Sequence, residues 1–180
     1  MNFELLKNEL PDYAKDIKLN LSSVLTESGS ADLTQKQIDS IVLASAYASR
    51  NKDVIKAATH QAQTSLSTEE VNAMKAAAII MAMNNVYYRF THSVSDTSYS
   101  GMPAKLRMNV MANPGVDKVI FELSSLAVSA INGCGMCMNS HAAQLEKAGM
   151  SKLAIQSAVR IASVIQAGAM AREIASHNEA

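Results

Sequence analysis

Helix starts recur along this chain, and little in it would interrupt the helices once begun. Thr34-Gln35-Lys36-Gln37 and Ser67-Thr68-Glu69-Glu70 both have the capping-box pattern, a hydroxyl residue followed three positions later by Gln or Glu. Behind Thr34, residues Ile38, Ile41, Val42 and Ser45 fall on one helical face, and behind Ser67 an apolar-rich stretch runs to about Arg89. Glycine and proline are scarce, 7 and 3 in 180 residues, so the stretches between caps stay unbroken. The pattern excludes a turn-rich β fold and predicts an all-α protein: a single helical domain over 1–180.

The remaining boundaries follow the same signals. A short helix is predicted over 2–9 and an amphipathic one from Pro11 to about 25. "TESGSAD" (26–32) reads as a polar, flexible loop. A break near Arg50-Asn51 separates the Thr34 helix from one over about 53–64. "THSVSDTSYSG" (91–101) reads as a loop, and Pro103 suits the first turn of a helix ending before "NPG" (113–115). Asp117 opens the next helix, which runs to about Ile131. Asn132-Gly133 breaks it, and a helix from about Cys134 ends at Gly149. Ser151 caps the last, apolar nearly all round from Leu153 to Ala171, which places it centrally in the core.

"LSTEEVNAMKAAAIIMA" (66–82) superposes on "MSKLAIQSAVRIASVIQ" (150–166) with a shift of 84, matching Val71 to Ile155 and Ala78 to Ala162. Each long helix also follows a helix pair, so the chain reads as an internal duplication of a helical unit, only the second copy carrying cysteines.

Lys+Arg and Asp+Glu are 16 each, and no basic run offers a nucleic-acid surface. The most apolar run noted, "AAAIIMAM" (76–83), is too short to cross a membrane, and "MNFELLKNEL" does not read as a signal peptide. A cytoplasmic protein is expected. In a reducing compartment a lone Cys-x-x-Cys serves catalysis or metal binding more often than a permanent staple.

The chemistry concentrates in 117–149, a predicted helix–break–helix. Cys134 and Cys137 are the only cysteines, and His141 follows. At i, i+3 and i+7 the three share a helix face that Leu145 and Ala148 continue. The thiolate is the nucleophile, and a free cysteine with pKa about 8.5 is mostly protonated at neutral pH. Two devices could raise the thiolate fraction: the helix start near Cys134, and His141 acting on Cys137. They point to different sulfurs. On the preceding helix Glu122 and Ser129 border an apolar face formed by Ile120, Leu123, Leu126 and Ala127. Desolvation there would favour a protonated carboxyl able to carry protons. A buried structural pair is the plain alternative. Zinc is short of ligands, since His60, His92 and His177 lie far off in sequence. Met138 excludes a c-type haem motif. The methionines read as packing filler.

With these residues in view, the chain resembles the alkyl hydroperoxidase D family, within the carboxymuconolactone decarboxylase-like helical superfamily. The matching stretches are "MAMNNVYYRFTH" (81–92) and "MPAKLRMNVMANPGVDKVIFELSSLAVSAINGCGMCMNSH" (102–141) with the helix after them. The resemblance implies an all-helical homotrimer that is an antioxidant peroxidase for organic hydroperoxides. It implies that the protein also reduces a partner peroxiredoxin, alkyl hydroperoxide reductase C. Electrons would come from a lipoyl group on a 2-oxoacid dehydrogenase subunit, with no tightly bound cofactor. Residue by residue, Cys137 corresponds to the peroxidatic thiol, Cys134 to the resolving thiol, and Glu122 and His141 to the proton relay. Gly135-Met136 departs from members that carry a histidine between the cysteines, leaving His141 as the only imidazole in the motif. Two alternatives lie in other classes: a lactone decarboxylase, which would not need both thiols, and a non-catalytic trimeric adaptor.

Overall fold

The computed structural model describes residues 1–178; residues 179 and 180 of the single-domain span lie outside the described residues. Among the described residues there are nine α-helices and no strand. They are α1 (Phe3–Glu9), α2 (Lys15–Val24), α3 (Gln35–Ser49), α4 (Lys52–Ala62), α5 (Thr68–Ser93), α6 (Asn109–Ala112), α7 (Lys118–Ile131), α8 (Gly135–Lys147) and α9 (Lys152–Asn178). Both capping boxes form: Thr34 and Ser67 accept from Gln37 N–H and Glu70 N–H, and both N3 side chains bond back to the cap.

The duplication extends to the element boundaries. N-caps Thr34 and Asp117 are 83 residues apart, Asn51 and Cys134 also 83, and Ser67 and Ser151 84. Thus α3–α4–α5 and α7–α8–α9 are copies of one helix-pair-plus-long-helix unit. The first helices of the two copies, α3 and α7, pack against each other, and each packs against both α5 and α9. Helices α1 and α2 lie outside the repeat, against α4 and α9 respectively.

Four expectations are corrected. The central helices are α3 and α7, buried on every side from Ile38 through Ala46 and from Ile120 through Ser129, whereas α9 leaves Leu153, Met170 and Ile174 exposed. Polar Asp39, Ser40 and Ser45 disguise α3 in the sequence, yet all three are buried. By length and hydropathy α9 could cross a bilayer, but here it lies along α3 and α7. The 26–32 loop is pinned rather than flexible. Ser30 is fully buried and donates to Val24 O at 2.7 Å, Ser157 donates to Ala31 O, and the Arg160 guanidinium bonds Gly29 O. A Cβ on Gly29 would sit 2.0 Å from Ser23 O, so only glycine fits there. Finally, no helix starts at Pro103. Lys105 takes φ 51°, a left-handed turn that ends helical propagation, and only the single turn of α6 forms before Asn113. Helix α5 also runs four residues past the expected end at Arg89, to Ser93.

Candidate active site

Two helices and the corner between them build the site. Asp117 Oδ1 accepts from the Val119 and Ile120 N–H groups at 2.7 and 3.2 Å and starts α7. After Asn132 the chain turns through Gly133 at φ 69°, a conformation glycine adopts without strain. Cys134 then becomes the N-cap of α8: its N–H bonds Ser129 O, and its Sγ accepts from Cys137 N–H at 3.3 Å. Helix α8 ends in a Schellman turn, with Gly149 N–H on Glu146 O and Met150 N–H on Leu145 O.

The geometry brings the two sulfurs together, as the one-turn spacing allows. Cys134 and Cys137 form a disulfide, with Cα atoms 5.3 Å apart. Cys134 is fully buried and Cys137 is 7% exposed. His141 and Leu145 continue the buried stripe, but Ala148 does not: it is the exposed C-cap of α8.

Glu122 lies deeper than a border position suggested and is buried among the residues of α7. Its Oε2 is 2.7 Å from His141 Nδ1, and the other ring nitrogen, Nε2, is 3.3 Å from Met81 Sδ on α5. With the carboxylate ionised, Nδ1 donates to it; a proton on Nε2 then faces a thioether, a weak acceptor that holds it loosely. Among the described residues, neither ring nitrogen bonds a cysteine sulfur in this disulfide form.

His141 and Cys137 line one cleft of about 440 Å³, with Met81, Met108, Met111, Met136 and Tyr88. Cys134 is not in its lining, so Cys137 is the sulfur a ligand there would meet. The methionines, filler by sequence, are the apolar wall of this cleft. On the Glu122 side of the pair is a second cavity of about 280 Å³ that shares no lining residue with the cleft. A polar chain ties the corner to α5. Asn132 Nδ2 donates to Asn85 Oδ1 and Asn85 Nδ2 to Ser129 Oγ, both at 2.9 Å, and Arg89 donates to Asn132 O at 2.7 Å. Reasoning from sequence missed Met81, Asn85 and Arg89 as neighbours of the site. The available signal was a polar Asn84-Asn85 pair inside an apolar helix; both side chains are buried.

Residues 99–176, from the loop before α6 into α9, match the carboxymuconolactone decarboxylase family. The protein is similar to alkyl hydroperoxide reductase AhpD of Coxiella burnetii (strain RSA 493 / Nine Mile phase I), 57% identical over 88% of this chain and 90% of that one. The proteins of the same name from Brucella suis (strain ATCC 23445 / NCTC 10510) and Azorhizobium caulinodans are 53% and 52% identical. Each of those matches covers 97% of this chain, with 98% and 95% of the respective relative. Identity of that order over nearly the full length, across both copies of the helical unit, means that the chain belongs to the AhpD family.

Proposed function

We propose that the protein is an antioxidant thiol oxidoreductase that reduces organic hydroperoxides and the oxidised cysteines of a partner peroxiredoxin of the alkyl hydroperoxide reductase C type. The observation that carries this is the disulfide Cys134–Cys137, one of whose sulfurs lines a cleft beside a histidine paired to a buried carboxylate. The relatives' name, alkyl hydroperoxide reductase, supports the peroxide substrate.

In the reduced protein His141, backed by Glu122, takes the proton of Cys137. The thiolate attacks one oxygen of the hydroperoxide, the O–O bond breaks, and the alkoxide takes that proton and leaves as an alcohol. Cys134 attacks the resulting sulfenic acid, expelling water and closing the disulfide. A dihydrolipoyl group on a 2-oxoacid dehydrogenase subunit then supplies two electrons and reopens it. The Met-lined cleft suits an apolar dithiolane chain or alkyl tail. The chemistry uses no resident metal or flavin and belongs in the cytoplasm. A homotrimer is the assembly proposed; exposed Ile79, Val86 and Phe90, along one face of α5, offer apolar surface for it.

The test is peroxide-dependent turnover with dihydrolipoamide, with and without the peroxiredoxin, beside the molar mass by light scattering. Turnover with dihydrolipoamide as sole reductant is expected. Its absence both with and without the peroxiredoxin would sink the proposal.

A further inference from the structure

The Glu122–His141 pair stands between two cavities. The cleft is lined by His141 and Cys137 but not by Glu122. The cavity behind is lined by Glu122 but not by His141 or either cysteine. Its walls are Lys118 and Val119 from the start of α7, and Gln144, Leu145, Lys147 and Ala148 from the end of α8.

The first copy of the repeat shows this carboxylate position with its oxygens taken up by side chains, although Asp39 too lines a cavity, of about 460 Å³. Asp39 lies five residues after its N-cap Thr34, as Glu122 lies five after Asp117. Both Asp39 oxygens are occupied: Gln35 and Gln61 amides donate to Oδ1 at 2.8 and 2.5 Å, and Ser65 Oγ donates to Oδ2 at 2.5 Å. Displaced by 83, these donors become Lys118, Gln144 and Ala148, all of which line the cavity behind Glu122. Among the described residues none of the three bonds Glu122, and its Oε1 has no protein donor. On the other side, His141 replaces Ala58. The second copy has thus lost the cage and gained a base.

We propose that the cavity behind Glu122 is a proton inlet: water there exchanges protons with Glu122, and His141 passes them to the cleft. This rests on the dithiol/disulfide function proposed above. At about 280 Å³ with lysine and glutamine walls, the cavity has room and partners for several waters, each taking about 30 Å³ in the liquid. The titratable groups facing the pair are Lys118 and Lys147 at the cavity, and Tyr88 and the cysteines on the cleft side; α5 contributes Met81, which does not titrate.

The inlet matters when the cleft is filled. A dithiol attacking as its mono-anion forms an S–S bond to Cys137 and breaks Cys134–Cys137. Its second sulfur then loses a proton and displaces Cys137. Two electrons move to the cysteines, which need two protons to end as thiols. The reductant supplies one and solvent the other. With a lipoyl chain across the cleft, the back cavity remains as the route for that second proton.

The test follows disulfide reduction by stopped flow, using dithiothreitol, which leaves the cleft open, and dihydrolipoamide, which fills it. Two variants block the inlet: Lys118→Gln/Ala148→Ser, which offers the carboxylate the donors of the Asp39 cage in place of water, and Ala148→Phe, which plugs the cavity from an exposed position. Circular dichroism checks the fold of each, so either variant decides if the other misfolds. Reduction by dihydrolipoamide is expected to slow about tenfold with a larger solvent deuterium isotope effect, and reduction by dithiothreitol to slow much less. Unchanged rates and isotope effects, or equal slowing with both dithiols, would overturn the inlet. Absent peroxide turnover in the wild type would instead sink the proposed function, while the reduction assay would still test the inlet.

Discussion

In the first copy of the repeat the chain turns from α3 into α4 through Arg50 and Asn51; in the second it turns from α7 into α8 through Gly133 and Cys134. The corners share a shape. Arg50 and Gly133, 83 residues apart, have φ 62° and 69°, and the next residue caps the following helix in both. Asn51 caps with Oδ1, accepting from the Asp53 and Val54 N–H groups. Asparagine is among the preferred N-caps and cysteine is not. In the proposed reaction Cys134 holds the position for its chemistry, on a corner whose geometry the repeat supplies without it. The buried carboxylates make the same contrast. Asp39 is locked by three neutral donors, and Glu122 is bonded to one group that can itself carry a proton.

Substitutions at the two corners should separate chemistry from folding most sharply. Cys137→Ser is expected to lower peroxide turnover about a thousandfold or more, as removal of a nucleophile does. Cys134→Ser should also abolish cycling but trap a sulfenic acid, or a mixed disulfide with the peroxiredoxin, on Cys137. Asn51→Ser, at the matching corner, should leave turnover unchanged. The exposure of Cys137 in the cleft motivates this assignment of roles. Mass spectrometry after mild peroxide decides it: partner captured by Cys134 in Cys137→Ser would invert the roles.

Next in size is the carboxylate pair. Glu122→Gln should keep the fold but slow turnover about a hundredfold and alter its pH profile, because an amide cannot pass a proton to His141. Asp39→Asn should do the converse. It sets an amide N–H₂ against donors and is expected to lower stability by about 1–3 kcal/mol with turnover little changed. Denaturant unfolding beside pH–rate profiles would separate them. A wild-type pH profile in Glu122→Gln would reduce that residue to the structural role of Asp39.

What was legible in the sequence was local. Thr34, Ser67, Asp117 and Gly149 announce their helix ends because a cap acts within four residues of itself, and Cys134, Cys137 and His141 announce a shared face for the same reason. Glu122 was visible as a carboxylate beside an apolar face, though not its burial. The centrality of α3 was hidden because its Asp39, Ser40 and Ser45 look like a solvated face; only the fold brings Gln61 and Ser65 to Asp39, while Ser40 bonds back to Lys36 O within the helix. Met81 and Asn85 joined the site only through tertiary packing, which brings α5 across α7 and α8. Lys105 gave no signal of its left-handed turn, so Pro103 read as a helix start.

The link from α5 to the redox corner has no cysteine counterpart to serve in the first copy, and a smaller effect is expected from cutting it. Asn85→Ala removes the partner of both Ser129 and Asn132 and leaves the buried Ser129 hydroxyl without that donor. A loss of about 1–3 kcal/mol is expected, with slower disulfide reduction because Cys134 hangs from Ser129 O. A rate equal to wild type would mean that the corner holds its geometry without α5.

The smallest expected effect lies at the starts of the two long helices. Ser67 at the head of α5 is completed into a box by Glu70, which also pairs with Lys36 at 2.7 Å. Ser151 at the head of α9 bonds Ala154 N–H and Asp32, and the first turn of α9 carries no acid. Burial pushes the Glu70 carboxyl up, but bonds from Lys36 and the Ser67 N–H outweigh it and hold the group below its ordinary 4.5. A carboxyl depressed in the folded state adds stability that is present above its unfolded value and lost as pH falls through the folded one. Glu70→Gln keeps the box, since glutamine serves at N3, and removes the charge. It should therefore cost a few tenths of a kcal/mol, up to about 1, at pH 7, and this difference should begin to shrink as pH drops below 4.5 and vanish once the folded carboxyl is protonated. Ser67→Ala should cost about 1 kcal/mol at neutral pH. Part of that cost should fade over the same acid range, because the Ser67 hydroxyl also donates to Glu69 Oε2, a bond that a protonated carboxyl accepts more weakly. Thermal unfolding of both variants from pH 7 to 3.5 measures this, and a Glu70→Gln difference that does not shrink at all as pH falls would mean that the charge of Glu70 contributes nothing to the start of α5.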